Sequence, residues 1–235
     1  MKKGYFVSLV LIVLLVLIGF LPIQTKAKQK QPRIFIQYQA SPNVCRQTSN
    51  DQAPIFTWAG FRLKSGITDY KINFSTLPRN FSQGSAIAIF DMSFSTIQGG
   101  GGGILFHYAG ESNERSPSND GQNTVMWRTL SVGIAAVTYV WLDTDNHVAN
   151  VDTAFNSRYR WSYTNYNGQN DCGGVRTTLD LRNVATHEFG HWTGLGDLYS
   201  ANARDLTMYG YAARGELKKD NLGVGDIIGI RAVWP

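Results

Sequence analysis

The segment from His187 to Asp197 constrains the fold more than any other part of the chain, and it reads H-E-x-x-H-x-x-G-x-x-D. Side chains four residues apart on a helix lie on one face, so His187 and His191 would point to the same place. Gly194 allows the chain to leave the helix with a positive φ, and the following turn would bring Asp197 back toward both imidazoles. The segment therefore predicts a helix, a tight turn and three converging donor side chains.

Two imidazoles and one carboxylate are zinc ligands, and three protein ligands leave the fourth position open, as in catalytic zinc sites. Glu188 lies one step round the helix, where it is placed to act as general base on a water at that open position. The chain has only four His and four Glu, so a chance H-E-x-x-H is expected in roughly one such chain in a thousand, and the Gly and Asp that follow make coincidence rarer still. His107 and His147 have no Cys or His neighbour at ligand spacing, so we expect one zinc ion.

A second group of metal-binding residue types lies between two predicted strands, where Asp143, Asp145 and Asn146 follow one another closely. Such oxygen donors can bind calcium. A complete Asp-x-Asp-x-Asp-Gly loop is missing, however, so the sequence favours a plain hairpin turn.

The formal net charge of +5 comes from the first 30 residues, which contain five Lys and no acidic residue. The remaining 17 basic residues are balanced by 17 acidic ones. A chain that is near neutral beyond its N-terminal segment gives no electrostatic reason to expect nucleic-acid binding.

The N-terminus has the pattern of a targeting segment, with Lys2 and Lys3 followed by an apolar run. We predict a signal peptide over residues 1–27 and a secreted protein. Because the apolar run is long, an uncleaved membrane anchor over residues 5–23, with the remaining chain facing outside, is the alternative. Residues 28–55 are predicted as a linker or short pro-segment, and the globular part begins at residue 56.

Cys45 and Cys172 are the only cysteines. In an exported chain two cysteines usually form a disulfide, which would tie the N-terminal segment to the loop before the motif helix. The alternative is that Cys45 covers the metal as a removable thiolate ligand.

The pattern of apolar residues predicts an α+β fold. The predicted helices are Gln83–Ile97, Leu179–Gly194 and Leu222–Val233, and the predicted strands are Thr68–Phe74, Ile104–Tyr108, Val125–Leu130, Gly133–Leu142 and Val151–Phe155. For Gln83–Ile97 a strand is the alternative, because Ala86–Phe90 is an unbroken apolar run.

Together these motifs resemble the metzincin zinc peptidases, and most closely a matrixin-like domain of the bacterial type, over residues 56–235. Besides the zinc motif, the resemblance rests on Asn123–Trp127, Ala135–Trp141, Thr207-Met208-Tyr209 and Gly225–Ile230. It implies a twisted mixed five-stranded sheet, two main helices of which one carries the active site, a Met-turn and a C-terminal helix. It also implies that Met208 lies beneath the zinc and that Asp226 supports the Met208 turn.

The resemblance further implies a zinc-dependent endopeptidase that cleaves peptide bonds through a zinc-bound water, with Glu188 as general base. The strand Gly133–Trp141 would be an edge strand that holds a protein or peptide substrate in extended form. We expect a monomer, and membrane contact only with an uncleaved N-terminal segment. Two alternatives are an exported zinc-stabilised binding domain without significant catalysis and a zinc hydrolase of non-peptide substrates.

Overall fold

A computed structural model describes residues 31–41, 44–46, 51–64 and 66–234. The predicted signal peptide or anchor, residues 1–27, lies outside the described residues. Within the described ranges, no helix combines the length and the apolar character needed to cross a membrane.

The described residues form nine strands and three α-helices. The strands are β1 (Arg33–Gln39), β2 (Ile67–Ile72), β3 (Leu105–Glu111), β4 (Thr124–Arg128), β5 (Ile134–Leu142), β6 (Val148–Asn156), β7 (Trp161–Ser162), β8 (Leu179–Asp180) and β9 (Tyr211–Ala212). The helices are α1 (Gln83–Gly99), α2 (Leu181–Trp192) and α3 (Val224–Val233). The mixed α+β character predicted from the sequence is confirmed, and each predicted helix is present with ends shifted by a few residues.

The main sheet is mixed, and its strand order is β3-β2-β4-β6-β5-β1-β9. The predicted number of five strands is therefore wrong, because β1 and β9 extend the sheet beyond β5. Strand β5 is also not an edge strand, since it lies between β6 and β1 and pairs antiparallel with both. The additional partner, β1, comes from the segment 28–55 that the sequence predicts as a linker or pro-segment.

Helices α1 and α2 pack against each other through aromatic side chains at the centre of the core. The rings of Phe94 and Phe189 stack with centroids 3.7 Å apart. Phe90 of α1 stacks on Phe155 of β6 at 5.7 Å, which joins the helix pair to the sheet. Phe90, Phe94, Phe155 and Phe189 are almost completely buried. Burial of each such side chain contributes about 1.5–3 kcal/mol, so this cluster fixes the position of α2.

The run of five glycines from Gly99 to Gly103 ends α1 and packs against the C-terminal segment of the chain. Gly102 has φ +78°, and a Cβ atom at this position would lie 2.6 Å from the Cβ of Trp234. Only glycine combines this backbone conformation with so close an approach. The glycine run therefore packs the end of α1 against the end of α3.

Candidate metal centre

Helix α2 carries the H-E-x-x-H residues and is held firmly at its N-terminus. The side chain of Asp180 caps the helix by accepting a hydrogen bond from the backbone N–H of Asn183 at 3.1 Å. His187, Glu188 and His191 are fully buried. Because the helix is fixed by its cap and by the aromatic core, these three side chains have little freedom to reorient.

The two motif histidines converge as their spacing predicts. The Nε2 atoms of His187 and His191 lie 3.2 Å apart. The Nδ1 of His187 lies 2.8 Å from the carbonyl oxygen of Thr207, and the Nδ1 of His191 lies 2.8 Å from that of Leu195. A carbonyl oxygen only accepts hydrogen bonds, so Nδ1 carries the ring proton of each imidazole in its neutral form. Both Nε2 atoms then direct a lone pair into the space between the rings.

Gly194 allows the turn that brings the third donor to this space. Its φ is +100°, and a Cβ atom here would overlap the carbonyl oxygen of Phe61. After this turn, Oδ1 of Asp197 lies 3.3 Å from Nε2 of His187 and 3.6 Å from Nε2 of His191. The structure therefore brings together the three side chains that the sequence predicts as ligands.

These three residues fit a zinc ion. Four donors bound tetrahedrally at 2.0–2.1 Å lie about 3.3 Å from one another, and the three donor atoms here are 3.2–3.6 Å apart. Oδ1 of Asp197 is buried and accepts no hydrogen bond from the described residues. Burial lowers the pKa of His187 to about 4, which keeps this imidazole neutral and able to bind a metal. A divalent cation would satisfy all three atoms at once.

Glu188 is oriented by a chain of hydrogen bonds that begins at Trp192. The indole N–H of Trp192 donates to Oγ1 of Thr153 at 2.9 Å, and Thr153 and Thr138 are joined through their hydroxyls at 2.8 Å. Oγ1 of Thr138 lies 2.6 Å from Oε2 of Glu188. An indole N–H is only a donor, so donation runs along the chain from Trp192 to the carboxylate.

This series of hydrogen bonds gives the two carboxylate oxygens of Glu188 different environments. Oε2 is held by Thr138, whereas Oε1 is buried and accepts no hydrogen bond from the described residues. Burial raises the pKa of the Glu188 carboxyl to about 8. A dication beside the carboxyl would favour its charged form and lower that pKa again.

The sequence does not point to Thr138, Thr153 or Trp192 as partners of Glu188. The available signal is Thr138, which interrupts the mainly apolar sequence of β5, because a buried hydroxyl normally has a hydrogen-bond partner. The identity of that partner depends on how β5, β6 and α2 pack, and Thr138 and Glu188 are 50 residues apart.

Met208 packs against α2 in the turn that the resemblance assigns to it. A Cβ atom at Gly190 would overlap the sulfur of Met208, so this glycine permits the contact. The carboxylate of Asp226 accepts hydrogen bonds from the backbone N–H groups of Thr207 at 2.8 Å and Met208 at 3.1 Å. It also accepts one from Gly223 at 2.9 Å. Asp226 thus fixes the backbone of the turn that contains Met208.

The structure joins Cys45 and Cys172 in a disulfide. Both sulfur atoms are engaged in this bond, so Cys45 is not a thiolate ligand of the metal centre. The disulfide instead fastens the segment that follows β1 to the loop before α2.

The turn that contains Asp143, Asp145 and Asn146 has internal hydrogen bonds. Oδ1 of Asp143 accepts from the backbone N–H groups of Asp145 and His147, both at 2.9 Å, and Asn146 has φ +59°. Asp143, Asp145 and His147 lie close enough to share a cation. The hydrogen bonds are those of an ordinary Asx-type turn, in line with the plain hairpin turn that the sequence favours.

Comparison with known proteins supports the geometric assignment. The family model of the matrixins, peptidase family M10, matches residues 63–235. A comparison with curated proteins gave no significant match. The matched region includes α2, the ligand turn, Met208 and α3, and it covers well over half of the sequence. The chain therefore belongs to the matrixin family of zinc metallopeptidases.

Proposed function

We propose that this protein is an exported zinc-dependent endopeptidase. The observation that carries the proposal is the convergence of three donor atoms beside Glu188, whose Oε1 has no hydrogen-bond partner in the described part of the chain. A disulfide is typical of proteins that fold in oxidising compartments, which supports export. Zinc, when bound, would supply a Lewis acid that polarises the scissile carbonyl and acidifies water.

His187, His191 and Asp197 would hold the ion. Glu188 would take a proton from the attacking water at Oε1 and later deliver it to the leaving nitrogen. Its other oxygen is fixed by Thr138, so the free oxygen keeps one direction during both transfers. Met208, which packs against α2 at Gly190, and Asp226, which holds the Met208 turn, would support the metal centre.

The purified chain with one equivalent of zinc is expected to hydrolyse internal bonds of quenched peptides. We would compare peptide, ester and oligonucleotide substrates side by side, at high substrate concentration and with a chelated sample as control. Cleavage of peptides that stops on chelation and returns with zinc supports the endopeptidase. Cleavage of esters alone would indicate a non-peptide hydrolase. Stable zinc binding with no hydrolysis would indicate a zinc-stabilised binding domain.

Thr138→Val is expected to reduce kcat by about tenfold, which corresponds to about 1.4 kcal/mol in the activation barrier. The variant keeps the side-chain shape but removes the hydroxyl that holds Oε2 of Glu188. The matched control is Thr138→Ser, which keeps the hydroxyl and should stay within about threefold of the parent. Zinc content should be equal in both variants, since neither changes a ligand. Equal rates for the two variants would exclude Thr138 as a positioning residue.

A further inference from the structure

Strand β1 lies beside the catalytic centre, in the place where the sequence predicts an extended substrate. It pairs antiparallel with β5 from Arg33 opposite Val140 to Tyr38 opposite Ile134. At its end it pairs parallel with β9. The backbone N–H of Tyr38 donates to the carbonyl of Gly210 at 2.9 Å, just after the Met208 turn. The segment is therefore held between β5 and the chain that follows the metal centre.

Alternate side chains of β1 point toward the catalytic residues. Phe35 is opposite Thr138 in the register, and residues opposite each other in an antiparallel pair share a face of the sheet. Thr138 contacts Glu188 on this face. The ring of Phe35 stacks on that of His191 with centroids 4.3 Å apart. Ile36 follows Phe35 in the strand, so the backbone of Ile36 passes beside the catalytic centre.

Gln37 is the second inward-facing residue, and it is fully buried. Neither Nε2 nor Oε1 of its amide has a hydrogen-bond partner among the described residues. Burying an amide in this way costs about 1–3 kcal/mol. A permanent core strand would favour an apolar residue at this position. A substrate pocket that accepts many different side chains does not need to offer hydrogen-bond partners to the amide of Gln37.

We propose that β1 occupies the substrate groove as an internal, substrate-like strand and makes the intact chain latent. The inference rests on the endopeptidase function proposed above and concerns the regulation of the same site. Backbone pairing on both sides is how an extended peptide binds between strands, with alternate side chains in pockets. A peptide substrate must displace β1, so its apparent affinity is reduced by the fraction of molecules in which β1 has left.

The test uses the full chain with weakened β1 contacts. In the double variant Phe35→Ala/Tyr38→Pro, the first change removes the ring that stacks on His191, and the second removes the N–H donated to Gly210. We expect kcat/KM on a quenched peptide to rise at least about tenfold. The matched control is Ile34→Ala, whose side chain is 53% exposed and should leave the rate unchanged. The single variant Phe35→Ala serves as the milder form if the double variant folds poorly.

A binding measurement separates this inference from the proposed catalysis. In a Glu188→Gln background, a fluorescent peptide with the sequence of residues 32–40 is titrated into the zinc-loaded chain, with a scrambled peptide as control. The β1 variants Phe35→Ala/Tyr38→Pro and Phe35→Ala should bind the peptide at least about tenfold more tightly than the chain with native β1. Equal affinity for both chains, or no binding to either, would overturn the inference. The two proposals can also fail separately. If the β1 variants bound the peptide more tightly but no variant that retains Glu188 hydrolysed peptides, the peptidase function would be rejected and the role of β1 would stand.

Discussion

Replacing Glu188 by Gln should reduce kcat for peptide hydrolysis by about 10²–10⁴, the usual contribution of a general base. The amide keeps the size of the side chain and still offers one oxygen to Thr138, so the surrounding hydrogen bonds have a replacement acceptor. It cannot take a proton from water at neutral pH. The loss should therefore fall on kcat, while zinc content and thermal stability stay close to those of the parent.

The measurement is steady-state hydrolysis of a quenched peptide, together with zinc analysis of the same samples. Glu111→Gln is the matched control, because Glu111 is exposed at the end of β3 and the substitution is chemically identical. If Glu188→Gln retained more than about a tenth of the parental kcat with normal zinc content, Glu188 would not be the general base.

Replacing Asp197 by Ala should weaken zinc binding by more than about 100-fold, since changes that only disturb a ligand's partners already cost 10–100-fold. The substitution removes the carboxylate oxygen that lies within 3.6 Å of both imidazole Nε2 atoms. Two histidines would then hold the ion alone. Activity should be lost in parallel and should return in part at high zinc concentration.

Zinc affinity is measured by competition with a chromophoric chelator. Asp197→His offers a different zinc ligand at the same position and should retain more affinity than Asp197→Ala. Asp120→Ala is the negative control, because Asp120 is exposed in the loop before β4 and belongs to neither group of candidate ligands. An affinity in Asp197→Ala equal to that of the parent would remove Asp197 from the ligand set.

The metal centre could be predicted from the sequence because its donors are local. His187, His191 and Asp197 fall within eleven residues, so helix geometry and one glycine turn largely decide their relative positions. The helices and most strands were predictable for a similar reason, since each buries one face and repeats apolar residues at a fixed period.

The position of β1 could not be predicted in this way. Strand pairing joins Phe35 to Thr138, about a hundred residues later, and no local pattern specifies such a partner. The same holds for the hydrogen bonds from Trp192 through Thr153 to Glu188, which need three elements in contact. The sequence therefore predicts which groups do chemistry, whereas packing decides what orients them and what covers them.

The disulfide between Cys45 and Cys172 shortens the tether that holds β1 beside its groove and so strengthens β1 as a competitor of substrate. Cys45 lies six positions after Gln39, so a detached β1 stays close to its groove. Short tethers of this kind give effective concentrations in the millimolar range. Substrate at lower concentration would have to bind more tightly than β1 to replace it. A single backbone cut between Gln39 and Cys45 would abolish this advantage, because the strand could then diffuse away. A cut before Arg33 would leave the strand tethered.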